Sequence, residues 1–131
     1  MKTYRILVAM TLVAIIGVCA KSVDAFPQFS SGFKKLYLTD DAPEDFKDAV
    51  KGAKRALCHD DSKKNDKGKA DRKYRNPYGQ ALDNLLSKDD KKDKEKIREA
   101  LQEIEGEKAP GSEETFGDRL KNHQLPYVAE E

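Results

Sequence analysis

The stretch from His59 to Lys73, HDDSKKNDKGKADRK, constrains this chain more than any other. It holds no apolar residue except Ala70, so no helix or strand face can run through it into a core. Whatever the chain buries must come from segments on either side, joined across a polar gap. Dense in Asp, Lys, Asn and Gly, the gap reads as a charged, disordered connector over about residues 59–73.

Upstream of the gap, DDAPEDFKDAVKGAKRALC predicts a helix from about Ala42 to Cys58. Asp41 stands at the N-cap, Pro43 in the first turn, and Glu44 three residues after the cap. Phe46, Ala49, Val50, Ala53 and Leu57 then recur at helical spacing. Acidic residues gather at the start and Lys51, Lys54 and Arg55 at the end, as the helix dipole favours. Nearer the N-terminus, Phe29, Phe33, Leu36 and Tyr37 share one helix face. Ser30, Ser31 and Gly32 are weak helix formers, so an extended segment laid over the core competes with that helix.

Downstream, Asn76 is placed to cap a helix with Pro77 at its first position, and Tyr78, Leu82, Leu85 and Leu86 share its inner face. Nine consecutive charged residues, Lys88 to Lys96, follow. Two readings fit them. Either Ser87 caps a new helix whose inner face is Ile97, Leu101 and Ile104 and which stops at Gly106, or one helix runs from Pro77 to Glu105. Pairs such as Asp90–Lys94 and Lys91–Glu95 would support the second reading. After Pro110-Gly111, Ser112 is the expected cap of a last helix anchored by Phe116 and Leu120. Nothing alternates like a strand, and no repeat of solenoid length occurs. The expected fold is all-α, a small bundle of three to five short helices with flexible termini.

The first 25 residues read as a secretory signal peptide. Lys2 and Arg5 precede an apolar run from Ile6 to Val18, and small residues allow cleavage after Ala25 or after Ala20. The run is too short for a membrane span, which needs about 20 apolar residues. Cleavage after Ala25 leaves one domain, residues 26–131, in an extracellular setting with no membrane span. It removes three bases and one acid, leaving 22 basic and 23 acidic residues. A near-neutral chain has no global pull toward nucleic acid. Leu, Ile, Val and Phe then number 18 of 106 residues, so the core must be small and its stability modest.

Candidate chemistry is sparse. Cys58 and His59 adjoin, but neighbours on a helix point about 100° apart and do not make a nucleophile–base pair. Structural zinc needs about four Cys or His ligands, and after residue 25 there are only Cys58, His59 and His123. Setting Gly68 sixth in a calcium loop puts Lys63 first and Tyr74 twelfth, where acids are required. No metal and no cofactor are expected, nor an enzyme. Two features remain. Lys63, Lys64, Lys67, Lys69, Arg72, Lys73 and Arg75 form a locally basic tract interleaved with Tyr74, the pattern of a polyanion contact such as an anionic glycan. Cys58, an odd cysteine in an oxidising compartment, points to a free thiol or an intermolecular disulfide, including a disulfide-linked homodimer.

These features suit a small secreted, non-enzymatic binding or effector-type protein acting by surface contact with another macromolecule, most simply a protein. An alternative is a precursor cut at dibasic pairs such as Lys34-Lys35, Lys54-Arg55, Lys63-Lys64, Arg72-Lys73 and Lys91-Lys92. A third is a small carrier of an apolar ligand, which so few large apolar residues would struggle to enclose.

Overall fold

Helices form where an apolar stripe of helical period meets a residue able to satisfy the first backbone N–H groups. The computed structural model describes residues 27–129, so the leader and both cleavage points lie outside the described part. Five short helices result: α1 (Pro27–Tyr37), α2 (Glu44–Ala53), α3 (Pro77–Leu85), α4 (Lys94–Glu103) and α5 (Phe116–Lys121). Tight 3-10 turns occupy Lys54–Leu57, Lys88–Lys92 and Ile104–Gly106. Among the described residues there is no strand, only three isolated antiparallel bridges in loops. The fold is the small all-α bundle that the periodicity predicts.

The N-terminal segment is helical, not extended. Its weak helix former Gly32 has a packing reason: a Cβ there would stand 2.6 Å from Ile97 Cγ2, so α4 crosses where α1 has no side chain. Phe33, the buried anchor of α1, meets the edge of Tyr78 at a centroid distance of 6.0 Å. Phe116 of α5 approaches the same ring at 5.2 Å, nearly perpendicular. Tyr78 is thus the hub at which α1, α3 and α5 meet, and it is fully enclosed. Such edge-to-face pairs add roughly 0.5–1.5 kcal/mol each beyond area burial. Phe46 and Val50 of α2, Ile97, Ala100 and Leu101 of α4, and Ile104 of the turn after it pack into the same core, with Leu57, Leu82, Leu86 and Leu120. Tyr37 closes one side by donating its hydroxyl to Glu105 Oε1 at 2.7 Å. Burial and that carboxylate raise its pKa above the ordinary tyrosine value.

Several boundaries differ from the sequence reading. α2 stops at Ala53, five residues short of Cys58, because Lys54 takes a positive φ of 46° and the chain continues as a 3-10 turn. The residue before α2 is Pro43 with no side-chain cap, so Asp41 does not cap it. α3 and α4 are separate helices: Leu86 is extended (φ −116°, ψ 145°), which excludes one helix from Pro77 to Glu105. Ser87 turns the chain by donating its backbone N–H and its hydroxyl to Asp90, at 2.7 and 2.8 Å. Lys96 at 2.7 Å, with Ser87, holds the Asp90 carboxyl down to about 2. Asp93 is the cap of α4, accepting from the Lys96 N–H at 3.0 Å. α5 is capped by Thr115 and not by Ser112. Thr115 and Asp118 exchange side-chain-to-backbone bonds at 3.0 and 3.1 Å, a reciprocal capping box. The C-terminal segment is also better held than a loose tail: Arg119 donates to the Leu125 carbonyl at 2.8 Å and Pro126 is buried.

Candidate functional site

The charged connector follows a definite path, because its ends are tied. Asn76 does most of that tying. Its Oδ1 accepts from the Gly79 N–H at 2.8 Å, capping α3 as its sequence position predicts. Its Nδ2 donates to the Ala56 carbonyl at 2.8 Å, and its backbone N–H donates to Cys58 O at 3.1 Å. Gly79 allows the approach, since a Cβ there would meet Cys58 O at 1.9 Å. One residue further out, Asp60 N–H donates to the Tyr74 carbonyl at 3.2 Å, and His59 pairs with Arg75 as an antiparallel bridge.

Beyond this base the loop closes a second time. Lys64 bridges Ala70, and the Asn65 N–H donates to Lys69 O at 2.7 Å. Asn65 Oδ1 accepts from the backbone of Lys67 and Lys69 at 3.0 and 3.1 Å. Gly68 supplies the left-handed residue of the turn, with φ 69°. The sequence shows abundant turn formers here. It does not show that their bonds are mutually compatible, and that compatibility gives a lysine-rich loop one shape.

The loop shapes a dish of about 440 Å3 lined by Arg55, Asn65, Lys69, Ala70, Asp71, Arg72 and Lys73. Three residues of the expected basic tract, Lys69, Arg72 and Lys73, are therefore brought together. Arg55 joins them from the turn after α2, where its side chain donates to Asp61 at 3.1 Å and to the Ala70 carbonyl at 3.4 Å. Lys63, Lys64 and Lys67 are exposed on the same loop but outside the dish. Arg75 departs from the set: its side chain is only 8% exposed and pairs with Asp83 of α3 at 3.3 Å. It belongs to the joint, not to a contact surface. Arg55 had no signal in sequence, because it sits in an apparent helix tail where a basic residue already has a dipole explanation.

Cys58 and His59 sit in the tied base, and their side chains do not hydrogen-bond to each other. Burial pushes the Cys58 thiol up to about 12, and the Arg75 guanidinium offsets only part of that. The residue as a whole is half-buried. His59 is 2% exposed; its Nδ1–H donates to the Tyr74 carbonyl at 3.2 Å, while Nε2 is buried without a protein partner. Burial lowers its pKa, more than the Tyr74 carbonyl raises it, so the ring is neutral. The adjoining cavity, lined by Leu57, Cys58, His59, Arg75, Leu82 and Asp83 among others, measures about 70 Å3. His59 also lines another cavity, of about 230 Å3, on the side of Asp60 and Asn76; ligand pockets usually begin at about 300 Å3. His123 is remote in role, packing its ring 5.8 Å from Phe46. Among the described residues no group of three His, Cys, Asp or Glu is arranged to hold a metal, and no helix is long and apolar enough to cross a membrane. Comparison with protein families, with curated proteins and with solved structures gives no match for this chain.

Proposed function

We propose that the chain is a small secreted, non-enzymatic binding protein acting by surface contact with an acidic macromolecule, and that the dish around Lys69, Arg72 and Lys73 is its contact surface. The observation that carries this reading is the fixed shape of the basic loop. Cations on a floppy chain lose rotamer and backbone freedom on binding, whereas here the backbone part is already spent in folding. Charge contacts of this kind speed and orient association more than they tighten it. An acidic patch on a partner protein is the principal occupant, and an anionic glycan presents the same chemistry. The raised Cys58 thiol supports a free cysteine over a disulfide-linked homodimer, because thiolate is the species that enters disulfide exchange.

Retention on an immobilised polyanion, with salt elution, tests the surface. The native chain is expected to bind at low salt and to elute as salt rises, and the triple variant Lys69→Glu/Arg72→Glu/Lys73→Glu to flow through. Equal retention of the two would refute the assignment. Mass spectrometry of the secreted product tests the setting: a single species beginning at Phe26 or Lys21 supports it. Fragments ending at Lys-Lys or Lys-Arg would favour the precursor alternative.

A further inference from the structure

A second concavity lies on another part of the molecule, where α1 meets α4 and the 3-10 turn at Lys88–Lys92. It is a groove of about 500 Å3, within the range of small-molecule pockets. Gly32 and Leu36 of α1 and Ile97 of α4 lie on its apolar part; Lys35, Lys92, Lys94 and Arg98 stand around it. Glu95 is the one acid among the lining residues, and its carboxylate is taken by Arg98 at 2.7 Å. The apolar surface is recessed: Ile97 is buried and Leu36 half-buried, while the exposed large hydrophobics of the described residues, Tyr74 and Val128, lie elsewhere. Lysine stems are apolar for four carbons and keep their charged heads in water, so they wall such a groove while rimming it with positive charge.

We propose that this groove binds a single-chain anionic amphiphile, its alkyl chain along Gly32, Leu36 and Ile97 and its carboxylate or phosphate head among Lys35, Lys92 and Lys94. Charge complementarity selects an anion. Size selects a flexible chain over a partner helix: one turn of helix about 10 Å across occupies roughly 420 Å3, so the groove holds little more than one turn. The site is independent of the basic dish, and it changes the carrier reading from an enclosed cavity to an open cleft that few apolar residues can build.

Titration calorimetry on the secreted full-gene product, with laurate and dodecyl phosphate below their micelle concentrations, tests the assignment. Both anions are expected to bind, and the tighter of the two identifies the headgroup class. Lengthening the chain by two carbons is expected to tighten binding about fourfold, about half the free-energy gain of full burial, as suits an open groove. Dodecyltrimethylammonium is expected to bind at least about tenfold more weakly, since the rim repels it. Ser31→Phe, which adds a ring from an exposed position of α1, is expected to block binding. Lys92→Glu/Lys94→Glu, at two exposed positions that leave the core alone, is expected to cost about tenfold, so the proposal stays testable if the ring disturbs α1. Equal affinity for the cationic amphiphile, or no effect of the charge reversals with circular dichroism unchanged, would overturn the proposal. So would binding of an acidic amphipathic peptide in place of the alkyl anions.

Discussion

Asn76 offers the sharpest test of how this chain holds together. The residue is 3% exposed, and its side chain makes two opposed bonds, accepting from the Gly79 N–H and donating to the Ala56 carbonyl, both at 2.8 Å. Replacing it with alanine removes a helix cap, at a cost of about 1 kcal/mol. It also leaves the Ala56 carbonyl without its donor, at about 1–3 kcal/mol. The expected loss is about 3 kcal/mol, a large share of the 5–15 kcal/mol typical of small domains. At about 4–8 °C per kcal/mol that lowers Tm by roughly 12–24 °C. Urea unfolding followed by circular dichroism gives the free energy directly, and the slope shows whether unfolding stays two-state. Asn76→Asp separates the two bonds, because it keeps the acceptor toward Gly79 and loses the donor toward Ala56. It should lose at least the about 1–3 kcal/mol of the donor bond, because a carboxylate oxygen then faces the Ala56 carbonyl in a buried site. A loss under about 1 kcal/mol for Asn76→Ala would refute the reasoning, and full stability of Asn76→Asp would assign everything to the cap.

Four further outcomes are expected. Gly79→Ala should destabilise the fold despite alanine's helix propensity, since its Cβ would stand 1.9 Å from Cys58 O; a stability gain in urea would contradict that contact. Lys54→Gly should stabilise by about 1 kcal/mol by relieving the positive φ of 46° at that residue, and a lower urea midpoint would contradict it. Because burial lowers the His59 pKa, the unfolded chain binds a proton that the folded chain resists. Stability should therefore be full above about pH 6.5 and decline as pH falls below it. His59→Asn should flatten that slope between pH 7.5 and 5, and an unchanged slope would assign the decline to other groups. With its thiol pushed up to about 12, Cys58 should alkylate with iodoacetamide at pH 8 at least about a hundredfold more slowly in the folded chain than in urea; mass analysis of a time course reads this, and equal rates would show an accessible thiol.

The sequence made the helices legible because apolar period and cap coincide in them. Asn76-Pro77 and the stripe from Tyr78 to Leu82 place α3 correctly, and Ile97, Leu101 and Ile104 place the inner face of α4. Caps were harder to read where several candidates crowd together: Ser112 and Thr115 both precede Phe116, and only the reciprocal bond with Asp118 selects the second. The shortened α2 was not legible, since a non-glycine residue with positive φ leaves no mark in composition. Charge and position make the basic loop legible, but its composition reads as a disordered connector, whereas turns and bridges give it one shape. That shape depends on bonds from Arg55 and Asn76, which lie outside the charged run. The groove between α1 and α4 was hidden for a related reason. Lys91, Lys92 and Lys94 look like a solvated face until α1 is laid alongside them.

The doubly tied base of the loop has a consequence for how this protein can change. With Ala56–Asp60 zipped to Tyr74–Gly79, the residues between are a closed ring whose ends are fixed by bonds that do not involve its tip. Doubling the length of a flexible closed ring costs only about 0.6 kcal/mol. New sequence can therefore enter at the turn around Gly68, whose missing side chain faces open space, while the helices keep their register. The tip is where a lineage could trade one recognition sequence for another, and where a reporter or epitope can be inserted without unfolding the bundle beneath it.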